Sequence, residues 1–507
     1  MAKPFNFGTV INPLAIRTGL IDLRGHRVPL PGIVSPEPLL RGCDHRAWFD
    51  KLLDHGIRHV MVPLNALDED TSMFARRHPK WAIDSVESSA MLNAISETSA
   101  PKPAEKRKRG STALFGGAVY DLEHRDEGFF ARLKFLLEAA DAAGVLVGLS
   151  LFDVSAETGG GPFRRGGNLQ GLAWEDLILQ PELKEWETLE RLLKTAGEWI
   201  ATAVRARRGV WISAFRGQPP PLVESRINTL GERLTWWMGQ MLVRPGEDQQ
   251  STRHGPWIAG APGWRASETQ VSQNPEDKPP HLAPFDLKSG HAPELDVTAQ
   301  LESYLASKPG HDGDHRRPLL YYLQESTQRG APKIGPELAW RCMARGYFPI
   351  VPAGVQTRPG QRRCAWLSQL ALFFKQWVGK GFLRPCPEIL ANLPEESVAR
   401  GPLHAASDGC GRFFIYFEPG WLAPRPLAPG ASPARGEGRK PSAPGIRLSL
   451  LPGAYRFFWF DPQRGKGLDN GDGISGGQAA VIPGIVTDRD AVLVVELEEL
   501  PDPLSVW

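Results

Sequence analysis

Between residues 127 and 152 the chain spells a helix, a stop and a buried strand in immediate succession. Glu127–Ala143 (EGFFARLKFLLEAADAA) repeats apolar residues at helical spacing, Gly144 predicts a left-handed stop, and Val145–Phe152 (VLVGLSLF) is apolar almost throughout. A strand that is apolar on both faces needs cover on both faces. The arrangement that supplies it is a parallel sheet joined by helical crossovers.

The same succession recurs between residues 18 and 380. Leu20–Val34 predicts a hairpin turning at Arg24-Gly25-His26 and leading into a first strand. Asp44–His55 is a helix closed by Gly56, and Arg58–Leu64 a second strand. The helix Glu182–Arg207 feeds the strand Gly209–Phe215, and the helix Glu224–Leu242 follows. Trp257–Ala261 and His281–Leu287 are the fifth and sixth strands, then come the helix Leu295–Ala306 and the strand Pro318–Leu323. The helix Pro336–Arg345, the strand Tyr347–Pro352 and the helix Arg363–Val378 complete the series. Eight strands with helices between them predict an α/β chain whose residues 1–394 form a (β/α)8 TIM barrel. Residues 66–118 interrupt the rhythm as a polar insertion, and its basic run Lys102–Gly110 reads as a solvated loop because no aromatic residues interleave it.

From about residue 395 the period changes from helical to alternating. Arg412–Phe417, Ile446–Leu451, Ala454–Phe460 and Ala491–Glu496 are short strands separated by Pro/Gly turns, so residues 395–507 predict an all-β antiparallel sandwich. Its loop 423–445 is almost wholly Pro, Ala, Gly, Ser and Arg and is expected to be disordered. Tyr455, Phe457 and Trp459 alternate with Phe458 and Phe460, so both faces of that sheet need cover, one of them against the barrel.

Several function classes fall away. Lys plus Arg is 59 against 57 for Asp plus Glu, so no global field draws the chain to nucleic acid or to an anionic membrane. No apolar run reaches the roughly 18 residues of a membrane helix, and the N-terminal residues lack a secretory signal. Five scattered cysteines without a CxxC fit a reducing, cytoplasmic setting, with export by another route left open. Gly471–Gly476 matches GxGxxG by letter but falls among the sandwich strands, and Gly159–Asn168 lacks the Lys-Ser/Thr ending of a phosphate loop. His311, Asp312, Asp314 and His315 read as a solvated loop. Neither a cofactor nor a metal is expected.

Four groups of phrases resemble a clan-A glycoside hydrolase barrel with a C-terminal β-sandwich, as in the bacterial cellulase-like and collagen-binding-like glycosidase families. They are Leu53–Val60 before the second strand, Phe285-Asp286 to His291 around the sixth, and Pro318–Glu325 with Pro336–Gly346 at the seventh. The fourth group is Leu451–Tyr455, Trp459–Pro462 and Asp490–Val494 in the sandwich. The resemblance implies a carbohydrate ligand and makes Glu325, after the seventh strand, the catalytic nucleophile. It also implies Asn-Glu at the end of the fourth strand, where this chain has Phe215-Arg216. Glu224 reads either as a substitute acid or as a first-turn glutamate that stabilises the N-terminus of its helix, and Arg216, Asp153, Asp286, His291 and Trp211 are expected at the substrate. The expectation is therefore a glycosidase-like protein that hydrolyses or binds a carbohydrate. The alternative is an inactive barrel serving as a structural, assembly or carbohydrate-binding subunit, with a homo-oligomer left open.

Overall fold

The computed structural model describes residues 20–23, 26–65, 71–77, 119–154, 161–163, 167–173, 185–207, 209–216, 224–242, 257–258, 286–291, 319–324, 334–344, 347–377, 384–390, 403–407, 411–422, 445–477, 480–485, 487 and 489–499. Eight strands, β1 (Gly32–Val34), β2 (His59–Pro63), β3 (Leu146–Asp153), β4 (Val210–Arg216), β5 (Trp257–Ile258), β6 (Asp286–His291), β7 (Leu319–Gln324) and β8 (Tyr347–Pro352), form one sheet. Their order is β6-β7-β8-β1-β2-β3-β4-β5, and every pairing is parallel. That is the sequential order of a TIM-barrel-like sheet, opened between β5 and β6 among the described residues. Hairpin Leu20–Leu23/His26–Pro29 leads into β1.

Helices α1 (His45–Asp54), α2 (Glu127–Ala143), α3 (Glu185–Val204), α4 (Glu224–Leu242), α5 (Pro336–Ala344) and α6 (Arg358–Trp377) lie between and after these strands. The best-defined unit is α2–β3. Asp126 caps α2 by accepting the Phe129 N–H at 2.8 Å, and Gly144 ends it in the left-handed conformation with φ 64°. The helix then buries Phe129, Leu133, Leu136, Leu137 and Ala140, and every residue of β3 is buried.

Two expectations in this half need correction. The sixth strand runs from Asp286 to His291, several residues later than the apolar letters of His281–Leu287 suggest. Its sequence DLKSGH carries no alternation, so its register comes from backbone pairing with β7, Asp286 opposite Leu319 and His291 opposite Gln324. The insertion 66–118 is structured at its margins, because Phe74–Arg77 pairs antiparallel with Val119–Arg125 and buries Met73 and Phe74. The expected helix Leu295–Ala306, the basic run 102–110, the loop residues 423–444, His311–His315 and Glu325 lie outside the described residues.

The C-terminal strands are β9 (Arg384–Pro385), β10 (His404–Ser407), β11 (Arg412–Phe417), β12 (Ile446–Leu448), β13 (Ala454–Asp461), β14 (Lys466–Ser475), β15 (Ala480–Ile482) and β16 (Ala491–Glu499). Six of them make an antiparallel sheet in the order β9-β10-β11-β16-β13-β14, and β12 pairs with β15 as a separate ribbon. Tyr455, Phe457 and Trp459 share one core with Ile415, Phe417, Leu493 and the ribbon's Ile446, Leu448 and Ile482. The opposite face, with Phe414, Tyr416, Phe460, Val492 and Val494, merges into the core that holds the helices of the parallel sheet. There Trp340 of α5 stacks on Tyr416 at 6.5 Å and 8°, and Phe373 of α6 meets Phe460 at 5.3 Å. The run Gly471–Gly476 lies largely within β14 rather than in a loop. A side chain at Gly471 would stand 2.6 Å from the Phe457 ring, so the glycine lets that aromatic cross its neighbour strand. No helix among the described residues is long and apolar enough to cross a membrane.

Candidate functional site

Parallel pairing gathers the C-terminal ends of the strands on one side of the sheet, and there β3 and β4 finish in register, Asp153 opposite Arg216. Arg216 donates to Oδ2 of Asp153 from Nε at 3.1 Å and from Nη2 at 2.7 Å. The two side chains are 7% and 8% exposed. One guanidinium supplies both bonds to this carboxylate, and such charge-assisted bonds offset the cost of taking the two groups out of water. Arginine stays protonated at any accessible pH, so the end of β4 holds a fixed cation and no titratable proton donor.

Asn65 fixes the neighbouring rim. It follows β2 with φ 51°, a left-handed conformation that Asn adopts more readily than most residues, and it is buried. Its Nδ2 donates to the Leu151 carbonyl at 3.0 Å, and its Oδ1 accepts the Met73 N–H at 3.1 Å. The insertion hairpin is thereby pinned to β3 two residues before Asp153. The hairpin in turn holds the loop after β3, where Gln170 donates to Asp121 at 3.1 Å and Tyr120 donates its N–H to Gly167 at 2.9 Å. Asp121 also accepts from Arg77 at 3.2 Å and from His124 at 2.8 Å. Burial alone would raise its pKa, but the Gln170, Glu123 backbone and Arg77 hydrogen bonds together with His124 hold it below the usual value.

Toward the other end of the strands, Trp211 of β4 is fully buried and donates its indole N–H to Nε2 of His59 at 3.0 Å. His59 Nδ1 lies on the Leu30 carbonyl, so the ring is a neutral Nδ1–H tautomer that accepts on one side and donates on the other. Burial pulls its pKa down to about 4 against the smaller upward pull of the Leu30 hydrogen bond. Gly148 of β3 makes room for this pair, since a Cβ there would lie 2.1 Å from the Trp211 ring.

The expected site residues therefore divide. Asp153 and Arg216 meet at one strand end. His291 closes β6 at the same end of the sheet, opposite Gln324, and Glu325 is the next residue of the chain, outside the described part. Glu224 opens α4. Asp286 is the first residue of β6 and so belongs to the opposite end of the sheet, a consequence of the later register of that strand. Trp211, expected at the substrate, has no exposed surface and a partner for its N–H, so it is part of the interior. Sequence reasoning missed His59, Asn65 and Asp121. His59 carried a signal, a single imidazole opening the otherwise apolar strand HVMVP. Among the described residues no group of three or more His, Cys, Asp or Glu is arranged to hold a metal.

No family model matches the chain, and no curated protein does. Among solved structures, one glycoside hydrolase is 9% identical with a TM-score of 0.51, covering 99% of this chain and 100% of its own. The fold is glycoside-hydrolase-like. A glycoside hydrolase family 5 protein from Bacteroides vulgatus ATCC 8482 is 12% identical with a TM-score of 0.48, covering 95% of this chain and 94% of its own. In this glycosidase-like fold the strand ends that hold Asp153, Arg216 and His291 are the side of the parallel sheet on which barrel enzymes build their sites.

Proposed function

We propose that this chain is a carbohydrate-acting protein with a closed (β/α)8 barrel and a C-terminal β-sandwich, and that it binds its carbohydrate without the usual hydrolytic step. The observation that carries this reading is the buried Arg216–Asp153 pair at the ends of β3 and β4. Glycoside hydrolysis needs two carboxyl groups, about 5–5.5 Å apart for retention or 6.5–9.5 Å for inversion, one of which gives up a proton. Arg216 cannot give one up, and Asp153 is already committed to Arg216. The pair acts as a rigid, charge-balanced floor, and ligand contact falls to His291, Glu325 and the loops above the strands. The partner is a carbohydrate rather than a nucleic acid or a membrane.

A calorimetric titration of the full chain with a panel of oligosaccharides tests the reading. Saturable binding, weakened at least tenfold by His291→Ala or Glu325→Ala, is expected; a chain that takes up none of them removes the proposal.

The second reading is hydrolysis with Glu325 as nucleophile and Glu224 as acid. It is favoured by β7 reaching Gln324, because Glu325 is the next residue of the chain and barrel enzymes carry catalytic groups at the C-terminal ends of their strands. Under this reading Glu224→Gln lowers turnover of substrates with poor leaving groups more than of activated aryl glycosides, because the latter need little protonation. Equal loss on both would remove Glu224 as the acid.

A further inference from the structure

We propose that the seat of the C-terminal sheet on the helices beside it is tightened by mild acid, because Asp490 is a buried carboxyl there whose side-chain hydrogen bonds come from two neutral donors, Gln463 and Tyr416, that belong to the contact itself. This is independent of what the strand ends bind.

Asp490 immediately precedes β16 and is 1% exposed. Gln463 donates to its Oδ1 at 2.8 Å, and the Tyr416 hydroxyl donates to its Oδ2 at 3.4 Å. Gln463 belongs to the turn after β13. That turn is shaped by Asp461, whose Oδ1 accepts the N–H groups of Gln463 at 2.9 Å and Arg464 at 3.0 Å. It is pressed on α6, since a Cβ on Gly465 would lie 1.8 Å from Oε1 of Gln369. Tyr416 in turn stacks on Trp340 of α5. Asp490 is thus bonded to two elements that touch the barrel helices.

The charges facing it are mostly of its own sign. Glu337 lies in the first turn of α5 and Asp461 at the end of β13, and both act on Asp490. The nearby cations have other partners: Arg341 of α5 lies 2.8 Å from Glu418, which also has His404 at 3.5 Å, and the exposed Arg464 is 3.8 Å from Asp461. Burial first, then Glu337, push the Asp490 carboxyl up to about 6, with Asp461 adding to the rise and the Gln463 hydrogen bond opposing it. The folded value is above the unfolded one. The stabilising contribution is therefore fully present below about pH 4 and is lost as pH rises through about 6.

The test is calorimetric unfolding of the full chain near pH 5 and near pH 7.5, wild type beside Asp490→Asn. The asparagine keeps an acceptor for Gln463 and cannot ionise. The wild type should lose more melting temperature between the two pH values than Asp490→Asn, and the variant should melt higher near pH 7.5. His59 titrates identically in both proteins and cancels in the difference. Hydrogen exchange localises the effect: after correction for intrinsic rates, residues 336–344 and 454–461 should exchange more slowly near pH 5 in the wild type, with no such change in Asp490→Asn. Identical pH slopes in the two proteins would overturn the proposal. Should Asp490→Asn fail to fold, Glu337→Gln serves: it should move the midpoint of the wild-type pH transition downward, and an unmoved midpoint counts against the proposal.

Discussion

Across β2, β3 and β4 buried polar groups meet their complements: Arg216 donates to Asp153, and Trp211 donates to His59, whose other nitrogen bonds Leu30. Where the C-terminal sheet meets α5 and α6, a buried carboxyl instead takes its side-chain hydrogen bonds from neutral donors, Gln463 and Tyr416, and burial, then Glu337, push it up, with Asp461 adding to the rise. The polar groups of both regions are buried, so burial alone does not separate them; their partners do. A buried group matched by its opposite is locked and costly to cut. One facing its own kind is a store of strain that a proton releases.

Cutting the matched pair gives the largest expected effect. Arg216→Met leaves Asp153 buried without its cation and should lower stability by about 3–5 kcal/mol, while adding Asp153→Leu should recover most of that loss. Chemical denaturation of both variants measures it, and a single-variant loss under about 1 kcal/mol would mean the pair is solvated and the contrast is false.

His59 gives the next effect. Its folded pKa, about 4, is below the unfolded value, so the stability it supports is complete above about pH 6.5 and disappears as pH falls toward 4. The loss is on the order of 3 kcal/mol over that interval, and His59→Gln should flatten the acid limb of the stability profile. An unchanged limb would show that another group governs it. Acid thus acts with opposite signs in the two regions.

Gly148→Ala sets a Cβ against the Trp211 ring and should cost about 1–3 kcal/mol. Its melting temperature reports how tightly the seam is packed, and a neutral result would place the indole elsewhere. The smallest effect has the opposite sign: Asp490→Asn should raise stability near neutral pH by about 1–2 kcal/mol, read from the same denaturation curves.

What could be read from the sequence follows from where the physics is local. α2, α4, β8 and β11 have the boundaries their periodicity predicts, because apolar spacing and caps such as Asp126 and Gly144 act within a few residues. The alternation of Tyr455, Phe457 and Trp459 with Phe460 likewise anticipated a sheet covered on both faces. β6 and β14 were misread because DLKSGH and the glycine-rich β14 have no pattern of their own and take their register from β7 and β13. The site was legible only in part. Arg216 stands out as a cation where the resemblance implies an acid, but that Asp153 is its partner depends on the register of two strands distant in sequence. Trp211 was misassigned because a tryptophan's letter does not reveal which end of its strand it occupies.

At the end of β4 Arg216 is held by Asp153 where the resemblance implies a proton donor, and the proposed consequence is a chain that binds carbohydrate without cleaving it. Steady-state hydrolysis of a panel of aryl glycosides, wild type beside Glu325→Gln, tests it most directly. The two proteins should release aglycone at the same background rate while the wild type still binds oligosaccharide. Turnover by the wild type that falls by orders of magnitude in Glu325→Gln would contradict it and establish hydrolysis through Glu325.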